Sequence, residues 1–188
     1  MRAAGAQDSP ISEMRRFRQA LARFPTGVVV ATAWDEIGGR YLGMTMSSFS
    51  PVSLDPPLVL FSVDRRALSL EAWRRIPGYA VNVLAEHQQA LSERFARPRA
   101  DKWLGVEFQP GQHRAPLLSG ALAHFECVPH SQCEAGDHVT FFGRVTRFAV
   151  ESAGAPLVFH GSAYAAIARP EHPNMECMAG RWPLPIHY

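Results

Sequence analysis

Five hydroxyls fall close together in the stretch GMTMSSFSPVSLDPPL (43–58): Thr45, Ser47, Ser48, Ser50 and Ser53, interleaved with Met44, Met46, Phe49 and Val52 and with no cation among them. Such alternation predicts a strand with one wet and one dry face. A wet face of neutral donors and acceptors suits a polar, ring-shaped ligand whose edge must be hydrogen-bonded. A second cluster, SVDRRALS (62–69), ends a strand at Val63 and follows it with Asp64, Arg65 and Arg66, then with Ser69 ahead of a short helix. Guanidinium forks and backbone N–H groups near a helix start are what a phosphate needs. A third, AGDHVTFFGRV (135–145), puts an acid and an imidazole, Asp137 and His138, at the start of a strand, behind a glycine that lets a backbone approach a ligand. Each cluster also has a plain structural reading: a Ser-rich strand edge, a solvated turn of charges, and an ordinary Gly-Asp turn.

Other chemistries find no support. No GxGxxG opens a helix after a strand, and there is no P-loop, GxSxG elbow or HExxH. Asp137–His138 would be a catalytic dyad only against a nucleophile, and no serine stands out for that role. His172, Cys177 and His187, near the C-terminal end, match no standard zinc spacing.

The elements that must position these clusters follow from periodicity. SPISEMRRFRQALARF predicts a helix capped by Ser9, with Ile11, Met14, Phe17, Leu21 and Phe24 on one face, expected to cover a sheet. VVVATAW is a strand too apolar to be an edge, DEIGGR its hairpin turn, and the hydroxyl-rich stretch the return strand. PPLVLFSV is a third strand, followed by a short turn and helix over 64–76. YAVNVL is a strand, EHQQALSERFA a helix, and residues 97–116 a long surface connection. Three more strands are expected at 121–135, 138–150 and 156–167. Strands dominate, with helices inserted, so the fold expected is mainly β, a closed or partly closed antiparallel barrel. Residues 1–8 read as a disordered leader, 9–168 as the domain, and 169–188 as an irregular tail.

At 188 residues the chain is long enough for one substantial core. Nineteen Lys and Arg against 17 Asp and Glu leave no overall field to attract nucleic acid or an anionic membrane. No apolar run approaches a membrane span, and the N-terminal stretch has no signal-peptide core. Cys127, Cys133 and Cys177 form no CxxC pair, which fits a reduced, cytoplasmic setting.

Taken in order, these segments resemble the flavin reductase family, the NAD(P)H:flavin oxidoreductases with an FMN-binding split barrel. The resemblance rests on FRQALARFPTGVVVATA (17–33), GMTMSSFSPVSLDPPLVLFSV (43–63), YAVNVLAEHQQALSERFA (79–96), DKWLGVEF (101–108), GALAHFECV (120–128), GDHVTFFGRV (136–145) and PLVFHGSAY (156–164). It implies a Greek-key split β-barrel that reduces FMN or FAD with NADH or NADPH and supplies the reduced flavin to a separate monooxygenase. It also implies a homodimer with the flavin near the subunit interface. By the same resemblance, Thr45, Met46, Ser47 and Ser48 line the flavin ring and ribityl chain. Ser62, Val63, Asp64, Arg65, Arg66 and Leu68 surround its phosphate, and Phe95 lies along its other flank. His138 is assigned to the nicotinamide side, where it orients that ring, with Gly161 and Tyr164 near the pyridine nucleotide. The alternatives are a tightly held flavin acting on another small molecule, and a non-catalytic flavin- or haem-binding barrel.

Overall fold

The computed structural model describes residues 10–98, 101–150 and 154–167. The leader 1–8, the Ser9 cap, the tail 169–188 and the His172, Cys177 and His187 trio lie outside them. Among the described residues the chain runs α1 (Pro10–Leu21), β1 (Thr26–Gly27), β2 (Val29–Asp35), β3 (Arg40–Met46), β4 (Ser50–Leu54), β5 (Pro57–Asp64), α2 (Leu70–Arg75), β6 (Tyr79–Val83), α3 (Gln89–Phe95), β7 (Phe108–Pro110), β8 (Pro116–Leu118), β9 (Ala123–Ala135), β10 (His138–Val150), β11 (Val158–His160) and β12 (Ala163–Ala165).

The main sheet is antiparallel throughout, in the order β3-β2-β6-β9-β10-β5-β4. One apolar cluster draws residues from nearly every strand of it: Ala31, Leu42, Phe61, Val81, Cys127 and Phe141, closed at one end by Trp73 of α2. A single core shared by strands so far apart in the sheet means that the sheet is rolled around it. The two edge strands, β3 and β4, are joined by only Ser47, Ser48 and Phe49. This is the barrel expected, split between its edges.

A second apolar cluster packs Val30, Phe95, Leu118 and Leu157 on the outer side of β2. Val29 and Ala31 point to one cluster and Val30 to the other. That two-sided burial explains why β2 reads as a continuous apolar run rather than an alternating one. The hairpin β7–β8 is tied to the barrel by a buried amide. Asn82 Nδ2 donates to Val30 O at 2.9 Å, and Asn82 Oδ1 accepts the Leu118 N–H at 2.8 Å.

Four expectations need correction. The hydroxyl-rich stretch is not one strand, since β3 ends at Met46 and β4 begins at Ser50. Residues 156–167 form a hairpin, β11–β12, rather than one strand, because Gly161 and Ser162 both take positive φ (60° and 67°), as a two-residue turn requires. Residues 97–116 are not merely a surface connection. Trp103 sits among Phe95, Tyr41 and Phe108 with ring centroids 4.8, 5.4 and 5.5 Å away, and its Nε1 donates to Tyr41 O. A single aromatic anchor leaves no periodicity to read. Lastly, the apolar face of α1 and the turn after it covers no sheet among the described residues: Ile11, Met14, Phe17, Leu21 and Phe24 are all exposed. The outer side of β2 is already covered by α3, β8 and the 157–164 segment. The segment after α1 is held to the body by a bond from the Gly161 N–H to Ala22 O at 2.8 Å.

Candidate functional site

Where the chain passes between the two edge strands, a side chain takes the place of a ladder. Ser50 pairs with Leu60 across β4–β5, so Ser62 has no strand residue opposite it on that side. Ser48 Oγ fills the gap, accepting the Ser62 N–H at 3.0 Å and donating to Ser62 O at 3.2 Å. Ser62 Oγ in turn lies 3.0 Å from Thr140 Oγ1, its partner across β5–β10. Two positions along this ladder, and so on the same face, Asp64 stands opposite His138. The hydroxyl cluster and the two charged clusters therefore form one strip along the end of β5 and the start of β10.

The charged end of the strip is tightly wired. Asp64 accepts the Arg66 backbone N–H at 2.7 Å and the guanidinium at 2.8 and 3.1 Å. Those bonds hold the Asp64 carboxyl far below the usual carboxylate range. Asp137 Oδ1 lies 2.7 Å from His138 Nδ1, and this bond, with the imidazole's charge, also lowers the Asp137 carboxyl. The Asp137 carbonyl accepts the Arg65 N–H at 2.9 Å, joining the Gly-Asp turn to the arginine turn. Arg65 Nε stands 3.6 Å from Glu134, which Arg74 Nη2 meets at 2.7 Å. Both arginines thus have carboxylate partners. Arg66 remains 86% exposed, and exposed ion pairs are weak enough to yield to a stronger anion.

At the other end of the strip, Ser47 and Thr26 line a cleft of about 200 Å³ between the end of α1 with the turn after it (Leu21, Phe24) and the β11–β12 turn (His160, Gly161). Ser47 and Gly161, a predicted flavin contact and a predicted nucleotide contact, meet there. Thr45 and Tyr164 are not among the residues that line the cleft, and both are tied to Ser92. Thr45 Oγ1 donates to Ser92 O at 2.6 Å, and Tyr164 OH lies 2.8 Å from Ser92 Oγ.

Several predicted contacts must be qualified by burial. Phe95 is 1% exposed in the outer core, against Trp103, so its ring has no free flank to offer a ligand. Its place in an apparently amphipathic helix hid this, because the covering aromatic comes from the unpatterned loop after it. Met46 and Val63 bury their side chains in the barrel core and present only backbone. Leu68 is fully outward. Thr140, Ser92 and Thr26 were missed. Thr140, two residues after His138 on an alternating strand, carried a legible signal; Ser92 and Thr26 did not.

Residues 21–168 match the family described as flavin reductase like domain. The chain belongs to the flavin reductase family. Its enzyme class is accordingly NAD(P)H:flavin oxidoreductase. The chain is 38% identical over 152 residues to a flavin reductase of Pseudomonas putida, covering 81% of this chain and 89% of that protein. It is 37% identical over 163 residues to the reductase subunit of a flavin-dependent monooxygenase of Rhodococcus jostii, covering 87% and 83%. Its structure is similar to that of a Streptomyces globisporus NADH:FAD oxidoreductase, with a TM-score of 0.80 and 33% identity over 88% of this chain and 99% of that one. Family and fold agree on the split barrel. Among the described residues no helix is long and apolar enough to cross a membrane, and no cluster of His, Cys, Asp and Glu could hold a metal ion.

Proposed function

We propose that this flavin reductase takes hydride from NADH or NADPH to free FMN or FAD and releases the reduced flavin to a separate monooxygenase. The observation that carries the reading is the continuous strip from the Ser47 cleft to Arg65, Arg66 and His138. Its donor set fits a flavin: neutral hydroxyls and backbone groups for an uncharged ring, then exposed guanidiniums for a phosphate. When bound, the flavin supplies the hydride acceptor.

The residues of the strip do the rest. Ser47 and the backbone of 45–48 hold the ring edge, with the hydroxyl of Ser48 fixing that backbone against β5. Residues 62–68 surround the phosphate, Arg65 and Arg66 exchanging their carboxylate partners for it. Asp137 holds the imidazole of His138 at 2.7 Å, so that His138 orients the nicotinamide. Gly161 and Tyr164 border the nucleotide. Near-attack stacking of two rings needs such positioning more than it needs acid–base groups.

The domain comprises residues 9–168, with 1–8 a leader and 169–188 a tail, and the protein works in the cytoplasm as a homodimer. The dimer reading is supported by the apolar face of α1, exposed among the described residues, and by Leu21 at its end and Phe24 just after it, which also line the cleft. Kinship to a monooxygenase reductase subunit supports the partner. The test is consumption of NADH and of NADPH with FMN, FAD and riboflavin in turn. Turnover with added flavin, by a protein that purifies without a full complement of it, is expected. No oxidation with any flavin, or a tightly held yellow cofactor that added flavin does not exchange, overturns the reading.

A further inference from the structure

The two walls of the cleft belong to different sheets. Ser47 follows β3 of the seven-stranded sheet, whereas Gly161 and Tyr164 belong to the β11–β12 hairpin of a three-stranded one. No ladder among the described strands pairs β3 with β12. Backbone bonds join Leu157, just before β11, to Val28 and Leu84, and one residue of α3 adds a side-chain tie to both walls. The Ser92 carbonyl accepts Thr45 Oγ1 at 2.6 Å while keeping its helical bond from the Ala96 N–H at 3.0 Å. Its hydroxyl meets Tyr164 OH at 2.8 Å. Ser92 is fully buried, so water cannot readily replace either partner.

We infer that Ser92 is a positioning residue that sets the spacing of the flavin wall, through Thr45, and the nucleotide wall, through Tyr164. This rests on the reading of Tyr164 as part of the nucleotide side. The carbonyl bond survives any side-chain change at 92, so the flavin wall stays fixed when the hydroxyl is removed. Only the Tyr164 side is released. The Tyr164 ring also packs edge-on to Phe159 at 5.5 Å, so the hairpin shifts rather than unfolds. Hydride transfer tolerates little misplacement of the donor ring, so the loss falls on the nucleotide step.

The test compares the parent with Ser92→Ala, Tyr164→Phe and the double variant. It measures flavin dissociation constants by fluorescence, binding of the oxidised nucleotide by calorimetry, KM and kcat for the reduced nucleotide, and melting temperature. Each single variant is expected to weaken nucleotide binding and raise its KM roughly five- to tenfold, with flavin affinity within twofold. The double variant should be no worse than either single, because both remove the same bond. Parallel loss of flavin and nucleotide affinity with a lowered melting temperature would mark Ser92 as merely structural. Additive effects, or a loss in Tyr164→Phe alone, overturn the positioning role and leave the proposed reaction standing. A parent that consumes neither nucleotide with any flavin overturns the reaction itself, and this role with it.

Discussion

The hydroxyl of Ser48 is spent on the backbone of Ser62, and the carboxylate of Asp64 on Arg66, so two predicted ligand contacts are already satisfied within the protein. For Ser48 this means that its contribution to a flavin comes through the backbone it holds. For the arginines it means exchange: Arg65 and Arg66 lie on the surface, and a dianionic phosphate outcompetes a single carboxylate. Preference for FMN over riboflavin should therefore fall roughly tenfold in an Arg65→Ala, Arg66→Ala double variant, measured as the ratio of the two dissociation constants. An unchanged ratio would place the phosphate elsewhere.

At the scale of elements, the buried carboxylate of Asp35 ties the β2–β3 hairpin to α2. Asp35 is 1% exposed and receives a two-pronged bond from Arg75, Nε donating to Oδ1 at 3.2 Å and Nη2 to Oδ2 at 2.7 Å, with Arg40 at 3.9 Å. Burial pushes its carboxyl up, but the bonds from Arg75 and the Gly38 backbone, with the charges of Arg75 and Arg40, outweigh this and leave it below the ordinary value. A carboxyl lowered on folding adds stability that is complete above its unfolded value of about 3.9 and is lost as pH falls through the lower folded one. Arg75→Ala leaves the buried charge without its main partner and should cost about 3 kcal/mol at pH 7, the low end for a buried pair because Arg75 is 37% exposed. Urea unfolding followed by circular dichroism should show that cost shrinking as pH falls into the acid range, toward the lowered folded value of Asp35 in the parent. A cost independent of pH would mean that the ion pair is not its source.

For the whole molecule, the exposed face of α1 is the largest departure from a self-contained barrel. Ile11, Met14, Phe17, Leu21 and Phe24 recur at helical spacing, yet all five are exposed among the described residues. Covering a side chain such as Phe17 is worth roughly 1.5–3 kcal/mol. Phe17→Glu should thus weaken the proposed dimer by at least roughly tenfold, read by light scattering across a dilution series. Flavin affinity should fall with it, since Leu21 of the same helix and Phe24 just after it line the cleft. A parent that is monomeric at all concentrations, or a variant that dimerises as the parent does, would refute the interface.

The main strand segments, the β2–β3 hairpin, both inserted helices and the three charged or hydroxyl-rich clusters were legible in the sequence, because period-two and helical patterns and turn residues are local properties. The same patterns showed that α1 has an apolar face but could not say what covers it, since amphipathicity records burial and not the partner. Only the tertiary structure broke the 43–58 stretch at Ser47, buried Phe95 under Trp103, and set Ser92 between Thr45 and Tyr164. Those contacts join residues 8 to 72 positions apart in the chain and depend on how the sheet rolls, which no local pattern encodes.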